Sequence, residues 1–209
     1  MPALRRSAPL VDGTGNPDFR VFRRSGDAFA SESASQMPPD SDTPRIRLLP
    51  LTTGDLDAIC SLLWLPEVRH HLFDDSLVPR EVVAGIIRDS ADPSSITAFW
   101  RIATAADDVI GLIGLRPPAT TFLALRAIGW RSLELVVALD PRFWGRGLAS
   151  EAVAAVAEHA GRDGVTFALV AGVDEGNLRS HALMRRCRFQ ELGRVAGPDH
   201  PLVVYERAV

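Results

Sequence analysis

From residue 45 onward the hydrophobic residues recur with two periods, one of about two and one of about 3.6, and before it with neither. Residues 45–51 alternate loosely and predict a first strand. Leu56, Ile59, Cys60 and Leu63 fall at helical spacing behind Thr53, a residue suited to capping, and predict a helix through Leu63. Residues 66–75 read as a loop or a broken helix. Val82, Val83, Ile86 and Ile87 predict a second helix over 79–88, with Pro79 in its first turn. Residues 97–103 and 109–115 predict an antiparallel pair around the turn 105–108. A fourth strand is predicted at 133–139, then a glycine-bearing turn, then a helix over 148–160 ended by Gly161 and Gly164. A β-rich run at 165–173, a helix at 178–187 and two strands at 189–195 and 202–207 complete the order β-α-α-β-β-β-α-β-α-β-β. That order predicts a mixed α/β (α+β) domain.

Residues 1–44 differ in kind. Their Ser, Pro, Gly and Asp clusters, such as Asp12-Gly13-Thr14-Gly15-Asn16-Pro17, predict a mostly disordered extension, within which 19–22 is a candidate short docked strand. One domain at 45–209 behind this tail suits a chain of 209 residues. With 46% hydrophobic and 23% charged residues the composition is that of an ordinary globular protein.

Charge narrows the partners. The net charge is −3 and the arginines are scattered, so nucleic acid is not an expected partner. No apolar run approaches the ~18 residues of a membrane span, and the first residues lack the apolar core of a signal peptide, so no membrane partner is expected. The only two cysteines, Cys60 and Cys187, read as small apolar core residues and fit a reducing cytoplasm. All 23 basic residues are arginine, so the protein has no lysine side chain to acetylate.

The chemistry concentrates in Asp140-Pro141-Arg142-Phe143-Trp144-Gly145-Arg146-Gly147-Leu148-Ala149. A strand, a glycine turn and a helix start make an anion site, because the first helical N–H groups lack internal partners and the helix dipole favours negative charge there. Gly145 and Gly147 let the backbone approach a ligand, and Arg142 and Arg146 add charge. A tight turn with glycines for packing alone is the simpler alternative. A nucleotide P-loop would need Gly-Lys-Ser/Thr, and a dinucleotide fingerprint a third glycine where Ser150 stands.

The pattern Arg142-x-x-Gly145-x-Gly147-x-Ala149 resembles the acyl-CoA loop of the GNAT acetyltransferases. The resemblance covers residues 45–209. It implies the GNAT fold: a mostly antiparallel sheet of about seven strands, flanked by helices, with a V-shaped splay between strands four and five. The passages 43–51 with Asp55-Leu56, Leu65-Pro66-Glu67-Val68-Arg69, and Glu134 through Asn177 and Ser180 look most like the RimJ/RimL branch, which acetylates protein N-termini and small amines.

What the resemblance implies for the site follows residue by residue. Acetyl-CoA would be the co-substrate, held by Arg142, Gly145, Arg146, Gly147, Leu148 and Ala149, with the strand-four backbone at Val137 and Leu139 binding the pantetheine arm and the thioester carbonyl. Asn177, also a good helix cap in its own right, would touch the pantetheine or the acceptor. Glu134, the one charge in an apolar strand, would be the general base through a water; the plainer alternatives are a solvent-facing residue or a pair with Arg131. Ser180 would protonate the thiolate. The acceptor would be an amine, a protein N-terminus or a small molecule, and the chain is a candidate homodimer. His70, His71, Asp74 and Asp75 have no Cys or further His nearby to complete a metal shell, so no metal is expected; the resemblance implies a place on the acceptor-side loop, the plainer alternative being an ordinary solvated loop. Two departures stand out: the final helix has no tyrosine for a general acid, the only one being Tyr205 on the last strand, and Arg188 replaces the glycine of the family's Gly-Phe helix end. The rival class is an acyl-CoA-binding sensor or interaction domain that kept the fold without turnover.

Overall fold

The computed structural model describes residues 41–42, 45–122, 125, 132–162, 166, 168–197 and 199–209. Its elements are β1 (Ser41–Asp42), β2 (Arg47–Pro50), α1 (Leu56–Leu63), α2 (Pro66–Leu72), α3 (Arg80–Ala91), β3 (Ala98–Ala103), β4 (Val109–Arg116), β5 (Ser132–Leu139), α4 (Leu148–Arg162), β6 (Ala168–Asp174), α5 (Leu178–Arg186), β7 (Gln190–Val195) and β8 (Leu202–Ala208). The strands form one sheet of eight in the order β1-β2-β3-β4-β5-β6-β8-β7. Every described neighbour pair is antiparallel except β5 with β6. Seven strands match the expected ones, and the eighth is the two-residue β1, which the sequence places in the extension. The candidate strand at 19–22 lies outside the described residues.

Alternation along the strands supplies two apolar faces. One face of β5 sends Leu135 and Leu139 into a core with Leu148, Val153 and Val156 of α4 and Leu183 and Met184 of α5. The other sends Ala138 and Val136 against Ile59 and Leu63 of α1 and Val83 and Ile87 of α3. Farther along that second face, Phe122 packs on Val170 and Val204. Val153 and Val156 are fully buried, each contributing roughly 1.5–3 kcal/mol relative to exposure.

The element ends correct several expectations. A 3-10 turn, Thr53–Asp55, precedes α1, and Thr52 rather than Thr53 makes the cap: its N–H and hydroxyl donate to the Asp55 carboxylate at 2.7 and 2.8 Å. Residues 66–72, expected as a loop or broken helix, form α2, started by Pro66 in its first turn, where the missing N–H costs nothing. Pro79 stands just outside α3 as its N-cap. Gly161 does not end α4 but lies inside it, where an added Cβ would come 3.2 Å from the Val209 carbonyl carbon; close packing of the last residue selects glycine there. Gly164 lies outside the described residues. Cys60 and Cys187 are buried free thiols, both pushed up chiefly by burial. Among the described residues no helix is long and apolar enough to cross a membrane.

Candidate active site

The parallel pair β5–β6 stays in register for only three steps, Ser132 with Ala168, Leu133 with Leu169 and Glu134 with Val170. Beyond Glu134 the strands part, while β5 remains paired to β4 as far as Leu139. The result is a V-shaped cleft with Leu135–Leu139 on one wall. The Asp140 N–H donates to Ile110 O on β4 at 2.9 Å. Main-chain groups alternate sides along a strand, so those of Leu135, Val137 and Leu139 face the cleft. Val137 and Leu139, expected from the resemblance to hold a ligand through their backbone, are thus two of the three positions whose main chain is turned that way. The Leu139 carbonyl is taken by the Trp144 indole N–H at 2.6 Å, leaving the Leu139 N–H and both Val137 groups toward the gap.

Below this wall the chain turns sharply. The Asp140 side chain accepts from the Arg142 N–H at 2.9 Å and closes a 3-10 turn at Pro141–Phe143. Gly145 and Gly147 then sit at φ +73° and +80°, the left-handed region that favours glycine. A Cβ on Gly145 would meet nothing within 4 Å, so the space beside it is open. Ser150 and Glu151 are the first residues of α4 to donate back, to Gly147 O at 3.0 and 3.2 Å. The N–H groups of Gly147, Leu148 and Ala149 lie ahead of them, at the positive end of the helix dipole. The Leu148 side chain is buried in the core, so only its main chain is available to the turn, and Ala149 is half-buried.

The arginines differ in their availability. Arg142 is bound to Asp140, Nη2 to Oδ2 at 2.6 Å, and this hydrogen bond holds the Asp140 carboxyl below the usual carboxylate range. Arg146 lies over the Phe143 ring, 5.4 Å from its centroid. Sequence reasoning did not single out Arg45, yet its Nη1 donates to Arg146 O at 2.8 Å and its Nε and Nη2 to Glu151 Oε1, with Nη2 near Gly147. Arg179, two residues after Asn177, lies 4.8 Å over the Trp144 ring, and Arg186 reaches the Ser150 hydroxyl at 3.3 Å. Five guanidinium groups therefore contact residues between Asp140 and Glu151.

Across the cleft, Asn177 caps α5 by accepting from the Ser180 N–H at 3.0 Å, which brings the two expected residues together. Tyr205 is buried on β8, 2.9 Å from Nδ1 of the buried His181, whose Nε2 lies 3.1 Å from Glu175 O. Arg188 keeps the glycine-like conformation at φ 65°.

Glu134 stands at the apex of the V, where the β5–β6 pairing ends, and it is 5% exposed. One carboxylate oxygen accepts from Arg116 Nη2 at 2.6 Å and the other from the Ala119 N–H at 3.0 Å. Arg116 is its cross-strand partner in the β4–β5 ladder. Arg131, the pairing considered from sequence, lies outside the described residues.

His70 and His71 lie in the last turn of α2 rather than in a loop, with Asp74 and Asp75 in the turn that follows. His71, in the last turn of α2, places Nδ1 3.3 Å from Oδ2 of Asp174, the buried final residue of β6. His70 pairs instead with Asp75 at 2.8 Å; that hydrogen bond pushes the imidazole up and the carboxyl down. Asp74 is pushed up, first by burial and then by the charges of Asp174 and Asp199. Asp74 and Asp75 both take left-handed φ values, 49° and 62°.

A strand splayed from its parallel neighbour, leading through a glycine turn into a helix start, defines an acyltransferase architecture. The chain belongs to the GNAT acetyltransferase family: the family model described as an acetyltransferase (GNAT) domain matches residues 45–190. Solved structures agree in fold. The acetyltransferase from Agrobacterium tumefaciens str. C58 is 20% identical with a TM-score of 0.66, over 88% of this chain and 99% of that one. Spermidine N-acetyltransferase from Vibrio cholerae, solved with CoA and spermine, is 16% identical with a TM-score of 0.64, over 79% and 96%. The aminoglycoside acetyltransferase AAC(6')-Ib, solved with coenzyme A and kanamycin, is 16% identical with a TM-score of 0.62, over 78% and 94%. At these identities the likeness is one of fold. No curated protein matches the sequence.

Proposed function

We propose that this protein transfers the acetyl group of acetyl-CoA to a primary amine by direct attack in a ternary complex. The observation that carries the reading is the continuity between the opened β5 wall and the Gly145–Gly147 turn. Main-chain groups of Val137 and Leu139 would take the pantetheine arm and the thioester carbonyl, and polarising that carbonyl stabilises the charge that develops on attack. The amides at Gly147, Leu148 and Ala149, with Arg142 and Arg146, would take the pyrophosphate. Asn177 and Ser180, at the start of α5, would border the cleft, where Ser180 would meet the leaving thiolate. Each Glu134 oxygen accepts one hydrogen bond, from Arg116 or the Ala119 amide, and keeps a second lone pair for a water, so Glu134 would be a base through that water, a role that a Glu134→Gln variant tests.

The acceptor side favours a cation. Asp174 and Asp199 both lie close enough to act electrostatically on Asp74, which suits an ammonium group on its way to the cleft. The solved relatives carry amines of that kind, spermine and kanamycin. A protein N-terminus, the acceptor of RimJ/RimL-type enzymes, offers the same group. With two buried thiols and no disulfide among the described residues, the chain suits a reducing cytoplasm.

Calorimetric titration of acetyl-CoA into the wild type and into Gly147→Val tests the donor site. Valine at φ +80° would be a conformational outlier, so binding is expected in the wild type and lost in the variant. Thiol release is then read with spermidine, kanamycin and a short peptide bearing a free N-terminus. A folded wild type that binds no acetyl-CoA would sink the reading. Binding without release on any amine would favour the sensor.

A further inference from the structure

We propose that His71, oriented by Asp174, is the general base that deprotonates the amine acceptor, an assignment that rests on the acetyl-transfer reading above. The pair is separated by 103 residues in sequence. It joins the end of α2, on the α1–α3 face of the sheet, to the tip of β6, the strand that diverges from β5. It therefore stands at the open mouth of the cleft, on the side away from the α4 core.

Three features fit the role. First, Asp174 is 6% exposed, and a buried carboxylate is stable when a donor meets it. Second, an ionised carboxylate only accepts hydrogen bonds, so the proton of a neutral His71 resides on Nδ1 and the lone pair on Nε2. The His71 side chain is 32% exposed, so the ring is fixed on one side and reachable on the other. Third, the Glu134 carboxylate is held in an ion pair with the Arg116 guanidinium, whereas Nε2 of His71 is not engaged by Asp174.

The surroundings supply charge of the right sign. From α2 come the His70 ring, 4.6 Å away, and Arg69; from the following turn, Asp74 and Asp75; from β6, Asp174; and from the β7–β8 connection, Asp199 and His200, which act on Asp74. An approaching ammonium meets this carboxylate group first. Nε2 of His71 takes one proton from it and becomes imidazolium, held by Asp174. The freed nitrogen attacks the thioester carbonyl carbon, a C–N bond forms, the C–S bond breaks and the CoA thiolate leaves. The second nitrogen proton passes to the thiolate and His71 returns its own to solvent, giving amide, CoA thiol and one proton.

The test uses the full chain with acetyl-CoA and whichever of spermidine, kanamycin or the peptide gives the fastest thiol release. His71→Gln is expected to lower kcat by about a hundredfold or more, to leave acetyl-CoA affinity within about twofold, and to erase the acid limb of the pH–rate profile. His71→Ala should recover part of its rate when free imidazole is added. Asp174→Asn should weaken catalysis without removing that limb, and Glu134→Gln should not remove it either. A His71→Gln protein with the wild-type rate and pH profile would overturn the assignment, as would a Glu134→Gln protein that alone loses the limb. A wild type that binds acetyl-CoA and releases no thiol with any of the three amines would overturn the acetyl-transfer reading and this one with it.

Discussion

Replacing Arg188 by glycine should stabilise the protein. Helix α5 ends at Arg186, and the chain leaves it through Arg188 at φ 65°. The Phe189 N–H then donates to Met184 O at 3.0 Å and the Phe189 side chain is 4% exposed. This is a Schellman ending, whose 6→1 bond and buried residue together fix the left-handed position. For an L-residue with a Cβ that conformation costs roughly 1–2 kcal/mol. Glycine removes the cost but brings back about 0.4–1 kcal/mol of unfolded-chain freedom. The Arg188 side chain is exposed, so little packing is lost. The net gain is about 0.5–1 kcal/mol, which for a domain of this size raises Tm by roughly 1–4 °C. Thermal unfolding followed by circular dichroism reads it, with Arg188→Ala as the control that keeps a Cβ and should gain nothing. An alanine variant stabilised as much as the glycine one would show that the charge, not the backbone, was at fault. A glycine variant no more stable than the wild type would refute the strain itself.

Other consequences are measurable. Arg45→Ala removes the tie from Arg146 O to Glu151 beside the glycine turn, and calorimetry should show acetyl-CoA affinity falling about tenfold, roughly 1.4 kcal/mol. Gly172→Ala would place a Cβ 2.5 Å from Phe122 Cζ; urea unfolding should show a loss of roughly 1–3 kcal/mol from overpacking, relieved in part by adding Phe122→Leu. Arg142 depresses the Asp140 carboxyl, so the stabilisation from that pair is complete above the unfolded carboxylate pKa of about 3.9 and disappears as pH falls through the lower folded value. A Tm-against-pH comparison should show this loss in the wild type below about pH 4 and none from this source in Asp140→Asn.

Sequence pattern carried the element order because each period buries one face, and it carried the glycine turn because conformation and ligand approach both constrain those positions. It failed where the deciding contact is remote. Nothing near Gly161 reveals that Val209 packs on it. Glu134 pairs with Arg116 because the β4–β5 register sets them opposite each other, and register is invisible before the sheet exists. His71 and Asp174 meet only once α2 lies over the sheet and β6 has parted from β5. The tie between Asp140 and Arg142, by contrast, spans two residues and was within reach of the sequence.

The two borders of the sheet are finished in different ways. At one border β7 shows Gln190, Glu191 and Arg194 to solvent, side chains that discourage another strand from adding on. At the other, Ser41 and Asp42 lie against Leu48 and Arg47, so a piece of the extension covers what would otherwise be the bare rim of β2. A shortened protein beginning at residue 45 would keep every residue of the cleft and the glycine turn. It would also offer β2 as a vacant template, and would trade solubility for tidiness.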